Sequence, residues 1–250
     1  GGTTSSNSDG DITSTVQANT TAGFSIVTYT GTGGFDTVGH GLTKECDLVI
    51  IKNRDTAKNW MVMHKDLTSN YNLNLNSTAA EFHFPSQTTN GGIHTPDGSG
   101  STSTTFSLGE GTSNSDNVNL TNDDLVAYCF HSVQGYSKFG SYTGNGNADG
   151  PFVYTGFKPA LVIAKRTDGS GNDWRIADNK RDPFNIVDGR IKPNSSDAED
   201  NADQFDFLSN GFKLRTTAGD LNGTSGHTFI YMAFAEHPFV SSKGVPVTAR

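Results

Sequence analysis

Large apolar side chains recur along this chain in short runs, and in several runs they alternate with polar ones. Residues 24–30 (FSIVTYT) and 71–75 (YNLNL) alternate as a strand with one buried face requires. Residues 60–64 (WMVMH), 105–108 (TFSL), 125–131 (LVAYCFH), 136–141 (YSKFGS), 152–154 (FVY) and 160–165 (ALVIAK) have strand length and composition. The same holds for 174–177 (WRIA), 205–208 (FDFL), 211–216 (GFKLRT) and 227–234 (HTFIYMAF). Residues 46–52 (CDLVIIK) are almost continuously apolar, as in a central strand covered on both faces. No stretch keeps a 3.6-residue period for a normal helix length. The best helical turn is expected at 76–84 (NSTAAEFHF), capped by Asn76 or Ser77, with a parallel at 194–199. The pattern predicts an all-β chain with strand spacing typical of sandwiches and barrels.

The runs are not independent. Residues 23–60 read GFSIVTYTGTGGFDTVGHGLTKECDLVIIKNRDTAKNW, and residues 135–174 read GYSKFGSYTGNGNADGPFVYTGFKPALVIAKRTDGSGNDW. Tyr29-Thr30-Gly31 matches Tyr142-Thr143-Gly144, Leu48-Val49-Ile50 matches Leu161-Val162-Ile163, and Trp60 falls beside Trp174. Such self-similarity predicts two tandem pseudo-repeated β-sandwich units of jelly-roll or lectin-like type, residues 22–133 and 134–250. One larger sandwich made from both halves is the alternative. Residues 1–21, rich in Ser, Thr, Asn and Gly, read as a linker or arm, and residues 235–250 as an extended tail.

Composition narrows the partners. The net charge is -8 with only 18% charged residues, and no basic cluster offers a phosphate-binding face, so nucleic acid is an unexpected partner. No apolar run approaches the length of a membrane-spanning helix, and no membrane insertion is expected. The chain opens Gly-Gly-Thr-Thr without Met or an apolar leader, so a processed chain or a piece of a longer one is expected. Its two cysteines, Cys46 and Cys129, lack metal-type spacing. Cys129 reads as a small buried hydrophobe, and a bridge between the two is disfavoured because bridge-dependent secreted β domains carry more cysteines.

Candidate chemistry centres on aromatic side chains. Trp60, Tyr71, Tyr154 and Trp174 are the candidates for a sugar-stacking platform, since an aromatic face beside polar groups suits a saccharide. The presence of a Trp in each copy favours core packing for the tryptophans over ligand binding. His64, His83 and His94 show no ligand spacing, and residues 168–173 (DGSGND) follow a calcium loop only in part. The acidic group Asp197, Glu199, Asp200, Asp203 and Asp206 reads as a solvated loop. No G-x-S-x-G occurs, and nothing pairs two carboxylates at the ~5–9.5 Å that glycoside hydrolysis needs. No cofactor, bound metal or catalytic residue is therefore expected. Asn-x-Ser/Thr sequences at Asn19, Asn76, Asn119, Asn194 and Asn222 follow from the Asn/Ser/Thr richness.

Several blocks also carry a family resemblance. FSIVTYTGTG, TVGHGL, DLVIIKNRD, NSTAA, AYCFHSVQGYSKFGSYTGNGNADGPFVYTGFKPALVIAKRTD, DFLSNGFKLRTT and FIYMAFAEHPF together span most of residues 22–250. They closely resemble a domain of tail-fibre-like and appendage proteins in the virions of marine and other tailed bacteriophages. One departure is Thr43-Lys44-Glu45-Cys46, where that family has Gly-Val-Ala-Pro. The resemblance implies a non-enzymatic virion structural protein displayed on the particle surface. It further implies a trimer that contacts other virion proteins and attaches to host-surface glycan. A depolymerase on a β-sandwich and a purely architectural decoration protein are the alternatives. The loops at 85–105 and 109–124 are expected to present the binding surface.

Overall fold

The computed structural model describes residues 3–83, 92–94, 101–110 and 118–238. Among the described residues every regular element is a β-strand, and every pairing between named strands is antiparallel. The chain divides into two compact units. Unit 1 comprises Gly1–Leu75 and Glu81–His131, and unit 2 comprises Asn76–Ala80 and Ser132–Arg250.

Unit 1 contains β1 (Ser5–Asn7), β2 (Ser14–Asn19), β3 (Phe24–Thr30), β4 (Asp36–Gly39), β5 (Leu48–Asn53), β6 (Met61–His64), β7 (Tyr71–Asn74), β8 (Phe82–His83), β9 (Ile93–His94), β10 (Thr105–Leu108) and β11 (Asp124–Phe130). Eight of them form one sheet in the order β1-β2-β3-β11-β5-β6-β7-β8, and β4-β10-β9 form a second. Alternation in the sequence becomes alternation in burial. Ser25, Val27 and Tyr29 of β3 point inward, as do Leu125, Ala127 and Cys129 of β11. Val38, Ile93, Phe106 and Leu108 of the smaller sheet complete the same core, so the unit is a two-layer sandwich.

Unit 2 contains β12 (Ser137–Thr143), β13 (Phe152–Tyr154), β14 (Pro159–Arg166), β15 (Arg175–Asp178), β16 (Val187–Arg190), β17 (Asp200–Leu208), β18 (Gly211–Leu214) and β19 (Thr228–Ala235). They form two four-stranded sheets, β12-β19-β14-β15 and β13-β18-β17-β16. The first has the strand order that β3-β11-β5-β6 has in unit 1. Its core is aromatic. The Phe212 ring meets Tyr142, Phe205 and Tyr231 edge-on at centroid distances of 6.1, 5.9 and 5.3 Å, and Tyr142 stacks on Phe229 at 5.0 Å.

The repeated Tyr-Thr-Gly acquires a physical meaning here. Tyr29 donates its buried hydroxyl to the Val118 carbonyl at 2.7 Å, and Tyr142 donates to the Leu221 carbonyl at 2.8 Å. The residue after each carbonyl is a fully buried Asn. Asn119 Oδ1 accepts from Thr32 N at 3.0 Å, and Asn222 Oδ1 accepts from Asn145 N at 2.8 Å, each just past its Tyr-Thr-Gly. Asn222 Nδ2 also donates to Asn145 Oδ1, Asn147 O and Thr216 O at 3.0, 2.7 and 2.9 Å. The glycine is obligatory at 31, where a Cβ would lie 2.2 Å from the Leu120 carbonyl oxygen. Both asparagines sit in Asn-x-Thr sequences, and both are closed to modification by these contacts.

The structure departs from the sequence expectations at three places. Residues in the 1–21 stretch are not a linker: β2 pairs with β3 from Thr15 to Asn19, and Ile12 and Val16 enter the core. Among the described residues no helical turn forms at 76–83 or 194–199, and residue 84 lies outside them. The hydroxyls expected to cap a helix instead close single turns, Ser77 Oγ accepting from Ala79 N and Ser195 Oγ from Asp197 N. Asn76–Ala80 runs beside the 169–172 turn of unit 2, where the Thr78 carbonyl accepts from Gly171 N at 2.9 Å. The expected tail beyond residue 238 lies outside the described residues.

Replacing Asn222 with Ala strands several buried backbone groups, whereas Tyr142→Phe removes one hydroxyl. The expected losses are roughly 3 kcal/mol for Asn222→Ala and about 1–2 kcal/mol for Tyr142→Phe. Urea unfolding curves of the two variants test that ordering.

Candidate functional site

The four aromatic candidates meet different fates. Trp174 is fully buried, and its backbone N–H donates to Asn194 Oδ1 at 2.9 Å, so it offers no face to a ligand. Trp60 is half-buried and stacks on Tyr128 with ring centroids 6.3 Å apart. Tyr71 is half-buried against His83, at 4.9 Å. Only Tyr154 is largely open, at 65% exposure. A platform built from all four does not exist, because the Trp174 ring is inside the core of unit 2.

Tyr154 is open for a reason that lies in its strand. The edge strand β13 pairs only with β18, and its period of two sends Val153 into the core and Phe152 and Tyr154 outward. Phe152 is 45% exposed. Opposite Tyr154 stands Gly211, where an added Cβ would meet the Val153 carbonyl oxygen at 2.1 Å and the Phe152 ring at 2.9 Å. The missing side chain lets the Phe152 ring lie across the neighbouring strand. Lys213, opposite Phe152, pairs with Asp149 at 2.8 Å and holds that carboxyl below its ordinary range.

Beside Tyr154 opens a cavity of about 250 Å³, lined by Ser132, Gln134, Ser137, Lys138, Tyr154, Thr155 and Gly156. The turn that carries the tyrosine is held firmly. Thr155 N and Gly156 N both donate to the Asn210 carbonyl at 3.1 Å, and Thr155 Oγ1 donates to the Phe157 carbonyl at 2.7 Å. Gly156 takes φ 86°, a conformation suited to glycine. An aromatic face, an ammonium, an amide and hydroxyls thus surround one opening. This set of groups can stack on a sugar ring and hydrogen-bond its hydroxyls or a carboxylate.

The other candidate clusters are absorbed by internal pairing. In the 168–173 turn, Asp168 pairs with Arg166 at 2.7 Å, and Asp173 pairs with Lys192 at 3.3 Å and with Arg175 at 3.4 Å. Arg175 also pairs with Asp220. Four of the five members of the acidic group are paired with cations: Asp197 with Lys192 at 2.9 Å, Glu199 with Arg181 at 3.5 Å, Asp206 with Arg215 at 3.5 Å, and Asp200 with Arg190; the Asp203 side chain lies outside the described ones. These carboxylates already face cations of the chain itself, and among the described residues no group of three or more His, Cys, Asp or Glu is placed to hold a metal ion. Of the loops expected to bind, residues 84–91, 95–100 and 111–117 lie outside the described residues.

Two buried titratable clusters went unmarked in the sequence. In unit 1, Cys46 and Cys129 are free thiols in contact within the core, next to His40. The hydrogen bond from Cys129 draws Cys46 down to about 5, outweighing burial, and His40 adds to the effect. No substrate reaches them, because all three are buried. In unit 2, Lys165 is fully buried and donates to the Arg166 carbonyl at 2.7 Å, as Lys52 donates to the Asn53 carbonyl at 2.8 Å. Burial first, and then the Arg166 charge, lower Lys165 to about 8, against the partial pull of Asp173, Asp220 and Asp168.

Fold and site together define an all-β protein whose second unit offers a rigid, partly aromatic edge. A family model matches residues 1–238, and the chain belongs to that family, described as a domain of unknown function (DUF7483). No curated protein and no solved structure matches the chain.

Lys165 sets a pH signature. Its folded pKa lies below the unfolded value near 10.5, so between pH ~8 and 10.5 the unfolded chain holds a proton that the folded chain has released. Its contribution to stability is therefore least favourable below pH ~8 and improves by about 3 kcal/mol as pH rises to 10.5. Lys165→Met is expected to remove that rise, read as the difference between denaturation midpoints at pH 7.5 and 10 for wild type and variant.

Proposed function

We propose that this chain is a non-enzymatic structural module of a tailed-phage virion, displayed on the particle surface, that attaches to host-surface glycan through the Tyr154 edge of unit 2. The single observation that carries the binding role is the outward pair Phe152 and Tyr154 on a strand whose other residue, Val153, is locked in the core. An aromatic held on a strand gains contact area without first losing loop entropy. The particle setting rests on the sequence resemblance, and the closely hydrogen-bonded scaffold suits it. One such site binds weakly, and many copies on one particle convert weak binding into firm attachment. Other virion proteins and further copies of this chain are its partners in that setting, with a trimer as the assembly.

The state of the carboxylates supports binding over hydrolysis. A glycosidase needs one carboxyl raised towards neutrality. Among the described residues every carboxyl with a displaced pKa, Asp149, Asp168, Asp173, Asp178, Asp197, Asp200 and Glu236, is displaced below its ordinary range.

Tyr154→Ala leaves the core untouched and is expected to unfold within a few tenths of a kcal/mol of wild type. It is expected to weaken retention on susceptible cells about tenfold, the loss of one stacking contact of roughly 1–1.5 kcal/mol. Equal retention of wild type and variant would remove Tyr154 from the site, and failure of the wild type to bind any susceptible cell would end the attachment reading. For the assembly, light scattering on the purified chain is expected to give three times its 26.6 kDa mass. A monomer mass would rule out the trimer.

A further inference from the structure

A second opening in unit 2 lies away from β13, under the segment that joins β15 to β16. Its volume is about 190 Å³, and it is lined by Lys158, Asn179, Asp182, Pro183, Phe184, Asn185, Val187 and Phe207. Phe184 stands at its rim with 82% exposure, unusual for a ring of that size. The segment is pinned by its own side chains. Asp178 Oδ1 accepts from Lys180 N and Arg181 N at 2.9 and 3.0 Å, and Asp182 Oδ2 accepts from Asp188 N and Gly189 N at 3.1 and 2.6 Å. Asn185 pairs with the Phe207 backbone in both directions, at 3.1 and 2.9 Å. Phe184 is therefore presented by a braced loop, and little order need be gained on binding.

The floor of the opening contains an unmet demand. Asn179 is only 7% exposed, and its Oδ1 has no hydrogen-bond partner among the described residues. A buried acceptor in that state is unfavourable and calls for a donor from an occupant. Lys158, anchored to Glu236 at 2.7 Å, brings further N–H donors to the same opening, and Val187 and Phe207 bring an apolar wall. The complement of these groups is a small group with one N–H donor, one carbonyl acceptor and a methyl. An acetamido group has all three, and its sugar ring would face Phe184. The space, about six times the ~30 Å³ share of a water molecule, suits one such unit.

We infer that this opening is a second saccharide site, selective for an N-acetylated hexosamine, with Asn179 taking the amide N–H, Lys158 the acetyl oxygen, and Phe184 stacking on the ring. The inference rests on the glycan-binding reading for the class of ligand, but the site is separate from Tyr154 and stands or falls separately.

The test is titration of the labelled chain with N-acetylglucosamine and N-acetylgalactosamine, followed by amide NMR shifts, with glucose and galactose as controls. The N-acetyl sugars are expected to shift the Asn179 side-chain amide and the Val187 and Phe207 backbone amides, and the controls to leave them still. Phe184→Ala, on an exposed side chain, and Asn179→Ala are each expected to weaken that response at least tenfold, whereas Tyr154→Ala leaves it unchanged. Equal response to sugars with and without the acetyl group, or full response in both site variants, would overturn the inference. So would no response around Asn179 to any of the four sugars. Shifts confined to Tyr154 and its neighbours would do the same while leaving the attachment reading intact; loss of cell retention with a normal response around Asn179 would overturn only the latter.

Discussion

The constraint on which each unit depends is a pair of bonds that close a long stretch of chain. A tyrosine hydroxyl late in β3 reaches a carbonyl 89 residues away in unit 1, and its counterpart late in β12 reaches one 79 residues away in unit 2. The asparagine next to that carbonyl then fastens the turn that follows the tyrosine. Loop closure over such distances is entropically costly, and the backbone groups it buries must find partners. A buried Asn amide offers both donors and an acceptor, so it can serve three or four of them at once. The glycine after each Tyr-Thr serves this closure, since a Cβ at Gly31 would meet the Leu120 carbonyl oxygen at 2.2 Å and one at Gly144 would crowd Phe229 and Asn222 Oδ1 at 3.0 and 3.3 Å.

Rigidity built in this way governs where recognition can occur. The buried aromatics around Phe212 fix β18, and β18 fixes the edge strand β13, whose alternate residues then have no core to enter. Phe152 and Tyr154 are left outside by geometry. The polar segment between β15 and β16 reaches the same end by another route, with Asp178, Asp182 and Asn185 bracing a loop that leaves Phe184 in water. Charges contribute differently. The acidic residues of unit 2 are spread over Lys and Arg partners, most at the surface, where each pair adds little stability but quenches a potential cation site.

Much of the architecture was legible. The runs at 24–30 and 152–154 coincide with β3 and β13, because a strand half-buried in a sandwich must alternate, and the run at 105–108 coincides with β10, which is buried throughout. Strands with polar sequences were missed. β2 (STVQAN) and β4 (DTVG) hold only one or two large apolar residues each, and their place is decided by neighbours supplied from elsewhere in the chain. The turn at residue 76 failed for a related reason: a helix cap and a simple hydroxyl turn begin with the same residues.

Of the candidate site, the sequence by itself determined that Tyr154 lies on a strand, and its expectation that both tryptophans are core residues holds for Trp174 but not for the half-buried Trp60. It also determined the all-β class, since hydrophobic period is a local property. Only the tertiary structure decided that Tyr154 has an open face while Trp174 has none, because exposure depends on which strand ends a sheet. It also decided that Asn179 Oδ1 lacks a partner among the described residues, that Phe184 is 82% exposed, and that Cys46 and Cys129, 83 positions apart, touch. Those are facts of long-range packing, and a one-dimensional pattern does not carry them.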